Sequence, residues 1–499
     1  LDMSFKNKVI NSVFCIFLLF FAQNAVFAID EETIENKPVE AKVSKDVVLN
    51  LDDCIKIALR NSPQIEISEN EILLYKARLG QAKSDYSPTL GLNNGYSHTK
   101  NSLIDELVLA NLSVNQLIYN FGKTSSKIKV QKFNLKSADF GLENVILQTI
   151  YNVKNAYYGV LFAKVEQDIK LRNAQLAERH YEMAKGFYDV GMKSYIDVTN
   201  AEVTYNNAKI EYVQAMTNYR NAIIALNNSM YLVDSAKYSV SDTEDFNMPK
   251  GLSEKEAEQV YQKYVFPEKS HVSQNIDESA QTKTEQGSSS SVVLKSGLVK
   301  HNMLENFKFT PYNIEMDEAI KTAYENRPDL KALLAKEKSA KESLRLAKKE
   351  YFPDLNASLS TGFMGDNFPV HHTLRLGASL NIPTVNPMLT KYKIDESKVN
   401  LSTALANITL QKQNIFFDVQ KAHTNLKEIE RRIPLLDATV KQAFQNFELA
   451  DGRYEVGLGN YIELQDAQTD YNNAQLAYAQ AVYDYNMARI YLEYSMGVK

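Results

Sequence analysis

The residues best placed to do chemistry are carboxylates close to two helix starts. Ser194-Tyr195-Ile196-Asp197 and Asn460-Tyr461-Ile462-Glu463 each set an N-cap three residues ahead of an acid, the spacing of a capping box. That role accounts for Asp197 and Glu463. Asp466 and Asp470 follow in the second of these helices, where an ordinary solvated face is the default for acids. If several copies of the segment surround an axis, the same acids form a ring at a pore mouth. Such a ring selects cations, and mutual repulsion raises its carboxylate pKa values. On the residues alone both readings stay open. Catalysis has no comparable support. The 7 histidines make no HExxH-type metal spacing, and His371-His372 falls at an expected strand turn. A phosphate-binding glycine loop and a GxSxG elbow are both missing. The sequence therefore predicts no enzyme, no cofactor and no metal.

Long helices must position these acids. From Leu464 a seam runs Leu464, Ala467, Tyr471, Ala474, Tyr478, Ala481, Tyr485, Ala488, Leu492, alternating steps of three and four. This is the heptad spacing of packed helices. The chain has already spelled it once, as Val198, Ala201, Tyr205, Ala208, Tyr212, Ala215, Tyr219, Ala222, Leu226, at a constant offset of 266 residues. Alanines let backbones approach, and tyrosines fill the wider layers. The chain is an internal duplication built on long helices. Each preceding helix ends in one motif, Gly186-Phe187-Tyr188-Asp189-Val190-Gly191 and Gly452-Arg453-Tyr454-Glu455-Val456-Gly457. The final glycines supply left-handed caps, so the chain should make two tight helical hairpins.

Between the helices the pattern changes. After Tyr86-Ser87-Pro88, Leu90, Leu92, Asn94 and Tyr96 alternate with small or polar residues; Val108, Ala110, Leu112 and Val114 alternate again. The residue before a proline is pushed out of helix, which marks the change. Tyr351-Phe352-Pro353 repeats it, followed by Leu355, Ala357, Leu359, Thr361, Phe363 and by Leu374, Leu376, Ala378, Leu380, Ile382. Thr373, Arg375, Gly377, Ser379 and Asn381 point the other way. About ten residues per strand, apolar on one face, suits a barrel wall around a watery lumen.

The bulk composition agrees. Glycine (18) and proline (12) are few, which favours uninterrupted helices, and a net charge of −5 without a basic cluster argues against nucleic acid. Lys6 and Lys8 before the apolar run from Val13 to Ala22, then Val26-Phe27-Ala28, read as a cleaved signal peptide over 1–28. The expected order is then a flexible leader (29–50), a first repeat (51–232), a partly disordered polar insert (233–313) and a second repeat (314–499). Strands are expected at about 89–99, 106–118, 354–365 and 372–383, and long helices at about 123–190, 194–230, 387–456 and 460–496.

Taken in order, these features resemble the TolC family of outer-membrane channel proteins. The resemblance rests on the paired openings Leu51–Pro63 and Met316–Pro328, the Tyr-x-Pro lead-ins to the strands, and the two Tyr-[Asp/Glu]-Val-Gly hairpins. It implies a mainly α fold with a small β part. Long antiparallel hairpins form an α-barrel, and four strands per chain join a trimeric 12-stranded outer-membrane β-barrel. It also implies a passive export channel of a tripartite efflux or type I secretion system, reaching through the periplasm and set in outer-membrane lipid. Its partners would be a periplasmic adaptor and an inner-membrane pump, the adaptor docking at Gly186, Tyr188, Val190, Gly191, Gly452, Val456 and Gly457. By position Asp197 and Tyr454 would hold the tip shut, and Glu463 and Asp466, with Asp470 beyond them, would constrict the pore. This chain departs from the family at Gly459, where some members carry a locking arginine; Arg453 or Lys193 are the substitutes at hand. Pro387-Met388 also stands where the first repeat has Phe121-Gly122. A coiled-coil tether of the envelope is the competing reading, and it leaves the four alternating segments unexplained.

Overall fold

The computed structural model describes residues 48–101, 104–232, 239–240, 311–365, 371–382 and 387–499. The expected signal peptide, nearly all of the leader and most of the insert lie outside the described residues. A short strand β1 (Val48–Leu49) leads into α1 (Leu51–Asn61), where Asn50 Oδ1 accepts the Asp53 N–H at 2.8 Å. Pro63 opens α2 (Pro63–Ser84) at its first position, where a missing N–H costs nothing. Then come strands β2 (Thr89–Asn101) and β3 (Ile104–Tyr119) and the helices α3 (Lys123–Asp189) and α4 (Tyr195–Ser229). β4 (Ser239–Val240) pairs parallel with β1, so the end of the leader and the start of the insert are tied together. Periodicity in segments this short gave no sign of it.

The second repeat follows the same plan: α5 (Met316–Asn326), α6 (Pro328–Lys349), β5 (Asp354–Gly365), β6 (His371–Asn381), α7 (Pro387–Glu455) and α8 (Tyr461–Ser495). Glycine is needed where the first strand pair turns into α3. Phe121 and Gly122 both take positive φ (54° and 75°), and Phe121 stacks on Phe352 at 5.0 Å.

β2, β3, β5 and β6 form one antiparallel sheet in that order. Register carries the alternating pattern straight across it. Leu90, Val114, Leu359 and Leu376 stand opposite one another in one row, and Leu92, Leu112, Thr361 and Leu374 in the next. Leu90, Leu359, Leu374 and Leu376 are exposed in the single chain. On the other face Gly91, Ser113, Ser360 and Arg375 form a polar row. A sheet with one apolar and one polar face is amphipathic in the barrel-wall sense. No described helix is long and apolar enough to cross a membrane.

The helical core is a strip rather than a ball. The seam of α8, from Leu464 to Leu492, is buried throughout, because α8 packs on both α7 and α3. A fully buried leucine there, such as Leu464, contributes roughly 2 kcal/mol. The matching seam of α4 lies on α3, and its Tyr205, Tyr212 and Tyr219 are only half-buried. The described fold is mainly helical, with internally duplicated long hairpins and one four-stranded antiparallel sheet beside the short β1–β4 pair.

Candidate functional site at the hairpin tips

Both hairpins turn by the same hydrogen-bond pattern. At the end of α3 the Gly191 N–H reaches Tyr188 O (2.9 Å) and the Met192 N–H reaches Phe187 O (2.8 Å). At the end of α7 the Gly457 N–H reaches Tyr454 O (2.9 Å) and the Leu458 N–H reaches Arg453 O (3.0 Å). Each is a Schellman cap with glycine in the left-handed region, φ 75° at Gly191 and 77° at Gly457. Gly186 and Gly452 lie one turn earlier, and their carbonyls accept the Val190 and Val456 N–H groups at 3.3 Å. Val190 and Val456 are exposed at the tip, and Tyr188 rests against Tyr195 at 5.3 Å.

The N-caps of α4 and α8 are made, but only in half. Ser194 Oγ accepts the Ile196 N–H at 3.4 Å, and Asn460 Oδ1 accepts the Ile462 N–H at 3.2 Å. Among the described residues neither Asp197 nor Glu463 completes a capping box. Glu463 turns instead to Arg453, whose Nη1 donates to Oε1 at 2.9 Å. That pair spans one hairpin and is about half exposed, so it adds little stability.

Tyr454 anchors the tip. It is 0% exposed, packed edge-on against Phe187 at 5.7 Å and Tyr461 at 5.9 Å. Its hydroxyl has no hydrogen-bond partner among the described residues. Burial, then the Asp197 carboxylate, then Tyr461 push its phenol up to about 12. Asp197 thus meets Tyr454 as a neighbouring charge. Between the two turns themselves a direct bond comes from Lys193, whose Nζ donates to Gly459 O at 2.7 Å and sits 5.9 Å from the Tyr454 ring centre. A side chain at Gly459 has no room, since its Cβ would stand 2.8 Å from Tyr454 N and 3.0 Å from Arg453 C.

Asp466 and Asp470 are exposed on α8 and carry no hydrogen bond or ion pair among the described residues. They stand about one helical turn apart on the same helix. Sequence reading missed the cluster behind the tip, where Arg179 on α3 bridges Asp451 (2.6 Å) and Glu455 (3.1 Å) on α7. Its members are 272 and 276 residues apart, and local spacing carries no trace of such a pairing. No described group of His, Cys, Asp and Glu could hold a metal.

The chain matches the model of a family described as "Outer membrane efflux protein" over residues 54–230 and 319–498, which are its two repeats. Among solved structures it is similar to the CmeC outer membrane channel of Campylobacter jejuni. That likeness has 16% identity and a TM-score of 0.66, and covers 90% of this chain and 85% of that one. VceC of Vibrio cholerae gives 15% identity and TM-score 0.65 over 90% of this chain and 96% of that chain. The open state of the MtrE channel of Neisseria gonorrhoeae gives 16% and 0.66, covering 92% and 94%. At these identities the likeness establishes the fold. No curated protein matches by sequence.

Proposed function

The chain belongs to the outer membrane efflux protein family, and from that premise we propose that it is one subunit of a passive export duct. Three copies set their sheets edge to edge as a twelve-stranded barrel in the outer membrane, and their hairpins continue as a tunnel through the periplasm. The observation that carries this reading is the sheet. Its β2 and β6 edges have no partner strand among the described residues, and one of its faces bears rows that are apolar except at Thr361. Four strands are too few to close a barrel alone, and an open edge is a liability unless another copy covers it. A coiled-coil tether has no use for such a sheet.

In this reading a cleaved signal peptide delivers the chain to the periplasm, and the hairpin tips are its gate. A periplasmic adaptor docks on the exposed apolar tip, where Val190, Ile196, Val456 and Leu458 stand out to solvent. It couples the duct to an inner-membrane pump, which supplies energy for tripartite efflux or type I secretion. Asp197, Tyr454 and Arg453 help hold the tip, and Glu463, Asp466 and Asp470 ring the pore. Single-channel conductance in planar bilayers tests this, with Asp466→Asn measured beside the unaltered protein. Discrete cation-selective steps that lose selectivity on substitution are expected. Selectivity unchanged by Asp466→Asn returns that acid to an ordinary helix face, and an assembled oligomer that makes no steps removes the duct.

A further inference from the structure

His180 on α3 is 1% exposed, and both of its ring nitrogens are engaged. Nε2 lies 3.0 Å from Asp451 Oδ1 on α7, and Nδ1 lies 2.9 Å from Gln468 Oε1 on α8. Gln468 is buried too, and its Nε2 donates to Asn173 Oδ1 at 2.9 Å. Asn472 donates to that same oxygen. The ring therefore joins the first hairpin to both helices of the second.

With the Gln468 and Asn173 amides oriented as they stand, counting donors favours one proton content. An ionised carboxylate and an amide oxygen can only accept. Asn173 Oδ1 takes the Gln468 N–H, which leaves the Gln468 oxygen facing His180. A neutral imidazole has one N–H and would set its other lone pair against an oxygen. An imidazolium donates to both. Local charge agrees: Asp451 and Glu455 are acids, Arg179 is one cation, and a charged His180 brings the cluster to neutrality. Burial pushes the Asp451 carboxyl up, but hydrogen bonds from His180 and Arg179 outweigh this and hold it below its ordinary value.

We propose that a doubly protonated His180 is a clamp between the two helix hairpins, and that losing one proton releases it. On its α7 and α8 sides lie the Phe447 ring, 6.4 Å away, and Tyr471 beyond it, which feels Arg172 and Glu448. Toward α4, Tyr205 donates to Glu178 at 2.8 Å, with Glu182 nearby. Only its consequence rests on the duct reading. If the hairpins part when the tip opens, the clamp must break first, and opening becomes easier on the alkaline side.

Two measurements on the full-length assembled protein, made from acid to alkaline pH, test the clamp. The first is nitrogen NMR of ring-labelled histidine, with the His180 signals assigned by their loss in His180→Gln. If that variant does not assemble, Asp451→Asn identifies them by their displacement. Two N–H groups on the His180 ring at the acid end are expected. A ring with one N–H there overturns the clamp, whether or not the protein conducts. The second is the open fraction in bilayers. It should rise about tenfold from acid to alkaline, the low end for losing one charge-assisted hydrogen bond, and stay at the alkaline level throughout in His180→Gln. Equal pH profiles in both proteins overturn the clamp as a gate control. Silence from all assembled variants sinks the duct reading and leaves the NMR result to decide the clamp.

Discussion

Tyr454 shows how one atom can decide between two accounts of the tip. If its hydroxyl held the tip shut through Asp197, it would need a hydrogen bond, and none is present among the described residues. Its phenol is pushed up to about 12, first by burial and then by the Asp197 charge. An unfolded tyrosine ionises near 10, roughly. Between about 10 and 12 the unfolded chain therefore releases a proton that the folded chain keeps. The stability contribution is complete below that window and falls as pH rises through it. Tyr454→Phe should flatten this slope. At neutral pH it should leave stability unchanged or raise it by about 1 kcal/mol, because a buried unpaired hydroxyl is removed. Thermal melts at about pH 7 and about pH 11 check both statements. A clear loss of stability at neutral pH would return the hydroxyl to the Asp197 contact. Gly459 gives the complementary case. Gly459→Arg should displace the turn and the Lys193 bond with it. We expect a cost of about 1–3 kcal/mol, the usual range for overpacking, in the same melts; a raised melting temperature would mean that the turn accommodates the arginine as a lock.

At the scale of elements, the two hairpins offer the same experiment in two surroundings. Gly191 and Gly457 share a left-handed φ and the same capping bonds, yet only one has space beside it. A Cβ on Gly191 meets nothing within 4 Å, whereas one on Gly457 meets Met192 Cε at 3.1 Å. Gly191→Ala should cost about 1 kcal/mol from backbone strain alone. Gly457→Ala should cost more, and adding Met192→Ala should bring it back toward the Gly191 value. Denaturant unfolding of the single and double variants measures this; equal costs at both glycines would show that Met192 simply moves aside. These turns were legible because a cap is written in a few consecutive residues. The α8 seam was legible for a similar reason, since one helix face repeats along one stretch of chain. The capping boxes are only half made. Their spacing is present, but Glu463 finds a cation in Arg453, and a charge-assisted bond outcompetes the backbone N–H.

For the whole molecule, what spacing could not supply is which faces meet across the duplication. Lys193 with Gly459 and His180 with Asp451 join residues more than 260 positions apart. Each repeat is periodic by itself, and periodicity holds no information about the partner repeat's face. The same limit applies to contacts between copies, but here the structure leaves a visible sign. Val203, Ile210 and Ile224 stand on α4 at heptad intervals, with Thr217 filling the gap, and all three apolar residues are exposed. They lie off the alanine-tyrosine seam that packs on α3, so α4 carries a second stripe with nothing among the described residues to cover it. A sustained heptad stripe of this kind calls for another helix. If the duct is a trimer, the next copy supplies that helix, and a charge buried there is costly unless it is paired. Ile210→Asp should therefore keep the helical circular dichroism of the folded chain while shifting its mass in detergent from trimer to monomer. Ile210→Leu, which keeps the apolar contact, should stay trimeric. A trimer that survives Ile210→Asp would place this stripe on the outer or adaptor-facing surface, and the subunit contact would then have to come from the open sheet edges and the exposed apolar residues of α7.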